Sequence, residues 1–199
     1  MIAEKERQWD KLLRIKTTGR DDSKADQYHY PYGPTPYVVL ERLAGSGYIG
    51  KRNLLMDCGC GKGRVDFYLS YQIRCRTIGI EYDERMYGAA VENQKTAVSA
   101  GKTRFQLSDA VDCEIDKETD RFYFFNPFSE EILHKVVTRI IDSYYENPRE
   151  CILFAYYPSH EYISCLMRQD SLLLADEIDC RDLFPGNDPR EKILVFKFV

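Results

Sequence analysis

The stretch LLMDCGCGKGRV, residues 54–65, combines one aspartate, two cysteines and three glycines within twelve positions. Such a stretch could form a metal site, a phosphate-binding loop or a seat for another cofactor. A structural zinc site needs a full set of thiolate or imidazole ligands, and Cys58 and Cys60 have no second ligand pair nearby. The spacing therefore predicts no metal at this stretch.

Two nucleotide-binding motifs fit the stretch only in part. A P-loop would need a glycine at position 56 and a serine or threonine at position 63, where Met56 and Gly63 stand. The dinucleotide fingerprint GxGxxG fits Gly59 and Gly61, but Arg64 stands where its third glycine belongs. The pattern present is DxGxGxG, whose glycines let the backbone turn sharply and approach a flat ligand. It predicts a nucleoside-binding loop without an obligatory pyrophosphate.

Polar residues also follow three other apolar stretches. Glu81 comes at the end of TIGIE and offers two acceptor oxygens, which suit a ribose diol. Asp109 follows RFQL, where a carboxylate can accept a hydrogen bond from an exocyclic amino group such as that of adenine. Asn126-Pro127-Phe128 follows RFYFF. Because ligands of open α/β sheets bind at the strand carboxyl ends, these residues are candidates for one site.

Apolar strands alternating with helices are expected to position these residues. The predicted strands are NLLMD, TIGIEY, RFQL, RFYFFN, CILFAYY, SLLLADEI and KILVFKFV. Within the fourth strand, alternation predicts that Phe122, Phe124 and Phe125 belong to the core. The last two strands flank a loop short enough for a hairpin. Strands separated by helices imply parallel pairing through right-handed crossovers, and hence an open α/β sheet.

The helices are predicted from capping residues and apolar spacing. Leu12 and Leu13 suit an amphipathic helix from Trp9. Thr35 as N-cap with proline after it opens a helix through about Gly45. Further helices are predicted at VDFYLSYQ, from Glu84 to about Ala100 with Asp83 as cap, and from Ser129 with Ile132, Leu133, Val136, Val137, Ile140 and Ile141 on one face.

Composition limits the class of protein. The 199 residues suggest one domain, and 44% apolar with 30% charged residues is typical of soluble globular proteins. There is no run of eighteen apolar residues, and the charged start MIAEKERQWDKLLRIK does not resemble a signal peptide, so we expect a cytoplasmic protein without membrane contact. Seven scattered cysteines indicate buried, reduced thiols. A net charge of −4 argues against broad nucleic-acid binding.

The ordered set of motifs resembles the class I S-adenosylmethionine-dependent methyltransferases over residues 35–199. The resemblance implies a single Rossmann-like three-layer sandwich, with a mostly parallel seven-stranded sheet and an antiparallel C-terminal hairpin. It implies cofactor-binding roles for Asp57, Gly59, Cys60, Gly61, Glu81, Tyr82, Asp109 and Ala110. Glu81 would bind the ribose hydroxyls, Tyr82 would flank adenine, and Asp109 with Ala110 would hold the adenine edge.

Asn126, Pro127 and Phe128 resemble the Asn-Pro-Pro-aromatic motif of amino-group methyltransferases, although one proline is missing. The resemblance implies that they contact the acceptor, with the Asn side-chain oxygen accepting a hydrogen bond from the amine. Methyl transfer would then proceed by in-line displacement. The alternative is that Asn126 caps the strand and Phe128 packs in the core. A nitrogen acceptor is favoured, and a small molecule, a protein side chain and an RNA base all stay open.

Residues 1–34 are expected to form an N-terminal helix and a tyrosine-rich arm over the active site. Tyr30, Tyr32 and Thr35 are the candidate substrate-binding residues of this region. Aromatic rings there could hold an amine by cation–π contact or stack on a base, or the arm could only pack over the cofactor. His134 and His160 are expected to be structural or solvated.

Two other functions stay open at this stage. The chain could be an oxidoreductase that binds NAD or another nucleotide, since Lys62 lies close to where a phosphate would bind. It could also be a non-catalytic module that binds the cofactor without turning it over. The oligomeric state is not indicated by the sequence.

Overall fold

A computed structural model describes residues 2–19 and 33–199 of the chain. Its strands, numbered in chain order, are β1 (Leu54–Cys58), β2 (Arg76–Glu81), β3 (Thr103–Leu107), β4 (Arg121–Phe124), β5 (Ile152–Tyr156), β6 (Leu172–Asp179) and β7 (Lys192–Phe198). They form one seven-stranded sheet in the order β3-β2-β1-β4-β5-β7-β6. Strands β1 to β5 pair in parallel, and β7 runs antiparallel to both β5 and β6. The predicted α/β fold, with its antiparallel C-terminal hairpin, is confirmed.

Helices connect most of these strands. They are α1 (Ile2–Leu13), α2 (Tyr37–Gly45), α3 (Arg64–Gln72), α4 (Glu84–Thr96), α5 (Glu130–Glu146) and α6 (His160–Met167). Asp83 and Ser129 cap α4 and α5 as predicted, because their side chains accept hydrogen bonds from the backbone N–H groups of Arg85 and Ile132. The predicted cap residues therefore satisfy backbone donors that the first turn of a helix leaves without partners.

Three of the expected helix boundaries were wrong. Helix α1 begins at Ile2 rather than near Trp9, and α4 ends at Thr96 rather than near Ala100. The N-cap of α2 is Pro36, and the side chain of Thr35 does not cap the helix. The Thr35 hydroxyl instead lies 3.0 Å from the hydroxyl of Tyr123 in β4, so a tertiary hydrogen bond replaces the local one.

The helices cover the sheet on two faces, and alternate strand residues point to opposite layers. In β1, Leu54, Met56 and Cys58 belong to one apolar cluster, which α5 and α6 complete. Leu55 belongs to a second cluster, which includes residues of α1, α2 and α3. Strands buried on both faces explain the nearly continuous apolar stretches in the sequence.

The order in which the chain adds strands to the sheet reverses between β1 and β4. From β1 the chain continues to β2 toward one edge of the sheet, whereas from β4 it continues to β5 toward the other edge. In an open α/β sheet such a switch point creates a crevice at the carboxyl ends of the strands. The glycine-rich loop (residues 59–63) follows β1 there, and the segment 125–129 follows β4. The topology therefore brings the two sequence motifs together.

All seven cysteines are buried with free thiols, as expected. In the described part of the chain, no helix is both long enough and apolar enough to span a bilayer.

Leu12 and Leu13 test whether α1 is an integral part of the core. Leu13 is fully buried, whereas its neighbour Leu12 is 50% exposed. We expect Leu13→Ala to lower the free energy of unfolding by about 2–5 kcal/mol, because it removes buried methyl groups and leaves a cavity. Leu12→Ala is the matched control and should change it by less than about 0.5 kcal/mol. Urea denaturation measures both, and equal small losses would mean that α1 does not share the core.

Candidate active site

A cleft opens at the carboxyl ends of β1, β2 and β4. It is a concave space, partly open to solvent, lined by both polar and apolar side chains. Its lining includes ten residues predicted from the sequence, Asp57, Gly59, Cys60, Glu81, Tyr82, Asp109, Ala110, Asn126, Pro127 and Phe128. Thr35 also lines it, while Gly61 does not. The fold thus gathers nearly all of the candidate residues around one space.

The glycine-rich loop folds back onto the end of β2. The backbone N–H groups of Gly59 and Cys60 both donate to the carbonyl oxygen of Ile80, at 2.9 and 3.0 Å. The N–H of Gly61 donates to the Glu81 carboxylate at 2.8 Å, and the N–H of Gly63 donates to the carbonyl of Cys60 at 2.9 Å. These four donors are therefore used within the protein.

Two of the glycine positions leave no room for a side chain. A Cβ on Gly59 would lie 2.4 Å from the Cβ of Pro127, and Gly59 has a positive φ of 83°. The second position is Gly79 in β2, over which the side chain of Cys60 packs. A Cβ on Gly79 would lie 2.6 Å from the Cys60 sulfur. The role of Cys60 in this structure is therefore close packing of the loop against β2.

Glu81 is held rigidly at the end of β2. One carboxylate oxygen accepts the N–H of Gly61, and the other accepts the N–H of Asp83 at 2.9 Å. Burial raises the pKa of the Glu81 carboxyl above its ordinary value, and these N–H groups oppose the rise. A carboxylate has about four acceptor sites, so each oxygen retains capacity for a further donor such as a hydroxyl group.

A second carboxyl group of the cleft, Asp57, is paired with another acid behind it. Asp66 in the first turn of α3 is fully buried, and neither of its carboxyl oxygens accepts a hydrogen bond from the described residues. Burial, followed by the charge of Asp66, raises the pKa of Asp57 well above its usual value, and burial raises the pKa of Asp66 to about 7. Two neighbouring buried carboxyl groups do not both ionise readily, so the pair binds a proton more tightly than two exposed aspartates would.

The residues after β2 and β3 form one side of the cleft. Tyr82, next to Glu81, is 36% exposed and presents an aromatic ring at the opening. The carboxylate of Asp109 accepts the backbone N–H of Val111 at 3.1 Å, which shapes the turn after β3. Ala110 is buried in the core cluster beside it. An aromatic ring, a carboxylate and a small apolar residue thus lie together on this side.

Asn126 has an unusual conformation on the other side of the cleft. Its φ is +40°, a left-handed value that asparagine tolerates better than most residues. The side-chain Nδ2 donates to the backbone carbonyl of Tyr157 at 2.6 Å. The Oδ1 atom is buried and accepts no hydrogen bond from the described residues. Because this bond assigns the two amide atoms, Oδ1 is an acceptor with unused capacity at the cleft.

The surroundings of Phe125 and Phe128, on either side of Asn126, differ from what the sequence suggested for them. Phe125, expected in the core, is only half-buried, lines the cleft and packs against Tyr156 with ring centroids 4.7 Å apart. Phe128 is 4% exposed, and its ring packs edge-on against Phe124. The expectation for Phe125 was wrong because β4 ends at Phe124, so strand alternation does not extend to residue 125.

Sequence reasoning missed Tyr123 and Arg64, which also line the cleft. Burial raises the pKa of Tyr123, whose hydroxyl therefore keeps its proton next to Thr35. Arg64 directly follows the DxGxGxG pattern, and this position was the signal available in the sequence. In the structure its charged side chain is buried. Tyr30 and Tyr32 lie outside the described residues.

His134 and His160 do not line the cleft. Among residues 2–19 and 33–199, no group of three or more His, Cys, Asp or Glu side chains is arranged to hold a metal ion.

Comparison with known proteins finds methyltransferases among those that are similar to this chain. No protein-family model matches the chain. A protein-lysine N-methyltransferase of Saccharolobus islandicus is 26% identical over 137 residues, which cover 62% of this chain and 84% of that protein. The alignment thus includes most of the relative but leaves more than a third of this chain outside it.

Solved structures extend the likeness to the fold. An RNA methyltransferase from Salinibacter ruber, solved with S-adenosyl-L-homocysteine, superposes with a TM-score of 0.62 at 18% identity, over 83% of this chain and 92% of that one. A TehB-like SAM-dependent methyltransferase from Corynebacterium glutamicum superposes with a TM-score of 0.59 at 16% identity, over 99% and 97% of the two chains. The chain therefore has the Rossmann-like fold that these methyltransferases share, which confirms the resemblance at the level of fold.

The Asp57–Asp66 pair predicts a characteristic pH dependence of stability. Because the pKa of Asp66 is higher in the folded than in the unfolded protein, the folded state holds the proton more tightly, and stability from this group falls as pH rises from about 4 to about 7. Asp66→Asn removes this loss. The stability of the variant minus that of the wild type should therefore increase between pH 5 and pH 8.

Urea denaturation at several pH values measures this difference, with Asp142→Asn as control for the loss of an exposed carboxylate on α5. A difference for Asp66→Asn that is independent of pH would contradict the raised pKa of Asp66.

Proposed function

We propose that this protein is an enzyme that transfers a methyl group from S-adenosylmethionine to a nitrogen acceptor. The observation that carries the proposal is Asn126, whose buried Oδ1 accepts no hydrogen bond from the described residues and which lines the same cleft as the rigidly held Glu81. One side of the cleft suits a nucleoside and the other suits an amine. The fold shared with known methyltransferases supports the combination.

The residues present fit the cofactor. Glu81 would accept hydrogen bonds from the ribose hydroxyls, because each of its oxygens has one backbone donor and capacity for another. Tyr82, Asp109 and Ala110 would surround the adenine. The carboxyl group of Asp57, which also lines the cleft, would lie near the positively charged end of the cofactor. When bound, S-adenosylmethionine supplies a methyl group activated by its sulfonium, which the acceptor takes by in-line displacement.

Asn126 would orient the acceptor. Its Nδ2 is bound to the Tyr157 carbonyl, so the amide cannot rotate freely and Oδ1 keeps its direction. An amine N–H that donates to Oδ1 would satisfy the buried acceptor, whereas a carboxylate or carbonyl acceptor offers no proton for it. Phe125 contributes a half-buried ring beside it, which can pack on the acceptor. These residues supply positioning and exclusion of water, which can account for several kcal/mol of catalysis.

The lysine specificity of the Saccharolobus relative supports a nitrogen acceptor, while the Salinibacter structure is that of an RNA methyltransferase. A protein side chain, an RNA base and a small amine all present an N–H to Asn126. The proposal therefore specifies the acceptor atom, and the assay below separates the three classes.

The glycine-rich loop argues against a dinucleotide-dependent oxidoreductase. A pyrophosphate bound at such a loop needs backbone N–H groups directed at it. The N–H groups of Gly59, Cys60, Gly61 and Gly63 already donate within the protein. This arrangement suits a nucleoside without a pyrophosphate.

Substitution of Glu81 tests cofactor binding. Glu81→Gln keeps the size of the side chain but replaces one acceptor oxygen by an NH₂ group. This group cannot accept the hydrogen bonds that the backbone N–H groups and the ribose hydroxyls donate to the carboxylate. We expect the affinity for S-adenosylhomocysteine to fall about 10- to 100-fold, which corresponds to the loss of a hydrogen bond to a charged group. Isothermal titration calorimetry measures it, with Glu92→Gln on the exposed face of α4 as control. Equal affinities for wild type and Glu81→Gln would remove the ribose-binding role.

Substitution of Asn126 tests catalysis separately. Asn126→Ala should lower the rate of methyl transfer about a hundredfold, because the acceptor loses its orientation, while affinity for S-adenosylhomocysteine changes little. The assay follows labelled methyl groups from S-adenosylmethionine into the protein, RNA and small-molecule fractions of a cell extract.

Asn147→Ala, at an exposed site after α5, is the matched control and should retain activity. If the wild type binds the cofactor but labels no fraction, the protein is better explained as a non-catalytic binding module.

A further inference from the structure

Arg64 connects the glycine-rich loop to the N-terminal segment (residues 2–19). It is the first residue of α3, directly after Gly63, and is 2% exposed. Its guanidinium forms an ion pair with Glu6 of α1 and donates from Nε to the hydroxyl of Thr17 at 2.7 Å. It also donates from Nη1 to the backbone carbonyl of Thr35 at 3.2 Å. One buried side chain thus contacts three separate parts of the N-terminal region.

The partners of Arg64 are themselves bound to one another. Asp10 of α1 lies 3.8 Å from the Arg64 guanidinium and accepts the hydroxyl of Tyr37 at 2.7 Å and that of Thr17 at 2.6 Å. Glu6 accepts the backbone N–H of Tyr37 at 2.9 Å. Since Pro36 cannot cap α2 with its side chain, Glu6 satisfies a free donor of that helix and complements its dipole. These residues form a connected set, here called the Arg64 network, in which Nη2 of Arg64 makes no hydrogen bond to the described residues.

The Arg64 network reaches the cleft at Arg64 itself and at Thr35. Thr35, whose carbonyl accepts from Arg64, lines the cleft and is hydrogen-bonded through its hydroxyl to Tyr123. Asn93 of α4 adds a second connection, because its side chain bonds the backbone of Lys16 in the N-terminal segment and the carbonyl of Lys62 in the glycine-rich loop. The cleft wall at Thr35 therefore depends on how the N-terminal segment is held.

Charge argues that Arg64 does not itself bind an anionic part of a ligand. Its single positive charge faces two carboxylates, Glu6 and Asp10, whose side chains are 13% and 12% exposed. A third carboxylate would add a net negative charge to a buried site, which is unfavourable. The planar guanidinium, stacked over the Tyr37 ring at 4.4 Å, is suited instead to holding several oxygen acceptors in fixed directions.

We infer that Arg64 is a positioning residue that couples docking of the N-terminal segment to ligand binding in the cleft. The inference rests on the proposed function only for the identity of the ligand. A ligand that requires Thr35 in place favours the docked segment, and the docked segment raises the affinity for that ligand by the same factor.

Trp9 reports the docking directly. It is the single tryptophan of the chain and lies in α1, with its ring 5.9 Å from that of Tyr37 and 4.9 Å from that of Tyr68. It does not line the cleft. Its emission and its quenching by acrylamide therefore measure whether α1 is docked, without contact to a ligand.

The test uses Arg64→Lys and Glu6→Gln in the full chain. Lysine keeps the charge but not the fork of donors, and Glu6→Gln weakens the network at a residue outside the cleft while leaving Arg64 intact. We expect both variants to show red-shifted Trp9 emission and faster quenching. We also expect the affinity of both variants for S-adenosylhomocysteine to be lower by about tenfold or more. The double variant should be no weaker than the stronger single one, because both substitutions break the same network.

Arg42→Lys is the matched control, since Arg42 of α2 makes a two-pronged ion pair with Asp182 away from the cleft. It should leave both Trp9 quenching and ligand affinity unchanged. In the wild type, saturating S-adenosylhomocysteine should slow the quenching of Trp9.

Two results would overturn the inference. If Arg64→Lys loses affinity while Glu6→Gln does not, Arg64 acts as a direct ligand contact. If Glu6→Gln leaves both Trp9 quenching and affinity at wild-type values, the network does not hold the segment. Failure of the proposed function is a different observation, namely that the wild type binds no S-adenosylhomocysteine, and the Trp9 comparison between variants still tests docking in that case.

Discussion

The close approach of Gly59 to Pro127 is the constraint on which the site depends. A Cβ at position 59 would lie 2.4 Å from that of Pro127, so no side chain fits between the glycine-rich loop and the segment after β4. The loop can take this path because Gly59 adopts a positive φ and because its N–H donates to the end of β2. The glycine-rich loop and the segment after β4 are thus held in direct contact, with the backbone of Gly59 against the ring of Pro127.

Buried acids give the cleft its electrostatic character. Asp57, Asp66 and Glu81 lie at or behind its floor, and burial raises the pKa of each. Glu81 is supported by backbone N–H groups, whereas the carboxyl oxygens of Asp66 accept no hydrogen bond from the described residues. Burial therefore makes these acids bind protons more tightly than exposed carboxyl groups would.

The N-terminal segment is bound to the glycine-rich loop by charge as well as by packing. Leu13 belongs to the same apolar cluster as residues of α2 and α3, and the ion pair of Arg64 with Glu6 crosses the same interface. Removing one partner of a buried pair leaves an uncompensated charge, so a substitution at Arg64 or Glu6 weakens this interface. The cleft wall at Thr35 and the first helix of the chain are consequently parts of one structure.

The sequence by itself determined the sheet, the class of fold and the position of the glycine-rich loop beside Glu81, because strand period and glycine spacing are local properties of the chain. Glu81 was found from its place at the end of a strand. Only the tertiary structure decided the surroundings of Asn126 and the contacts of the N-terminal region. Thr35 was expected to cap a helix and instead bonds Tyr123, 88 positions away, and Phe125 rather than Phe128 presents the half-buried ring. Such partners are set by packing between distant segments, which no local pattern encodes.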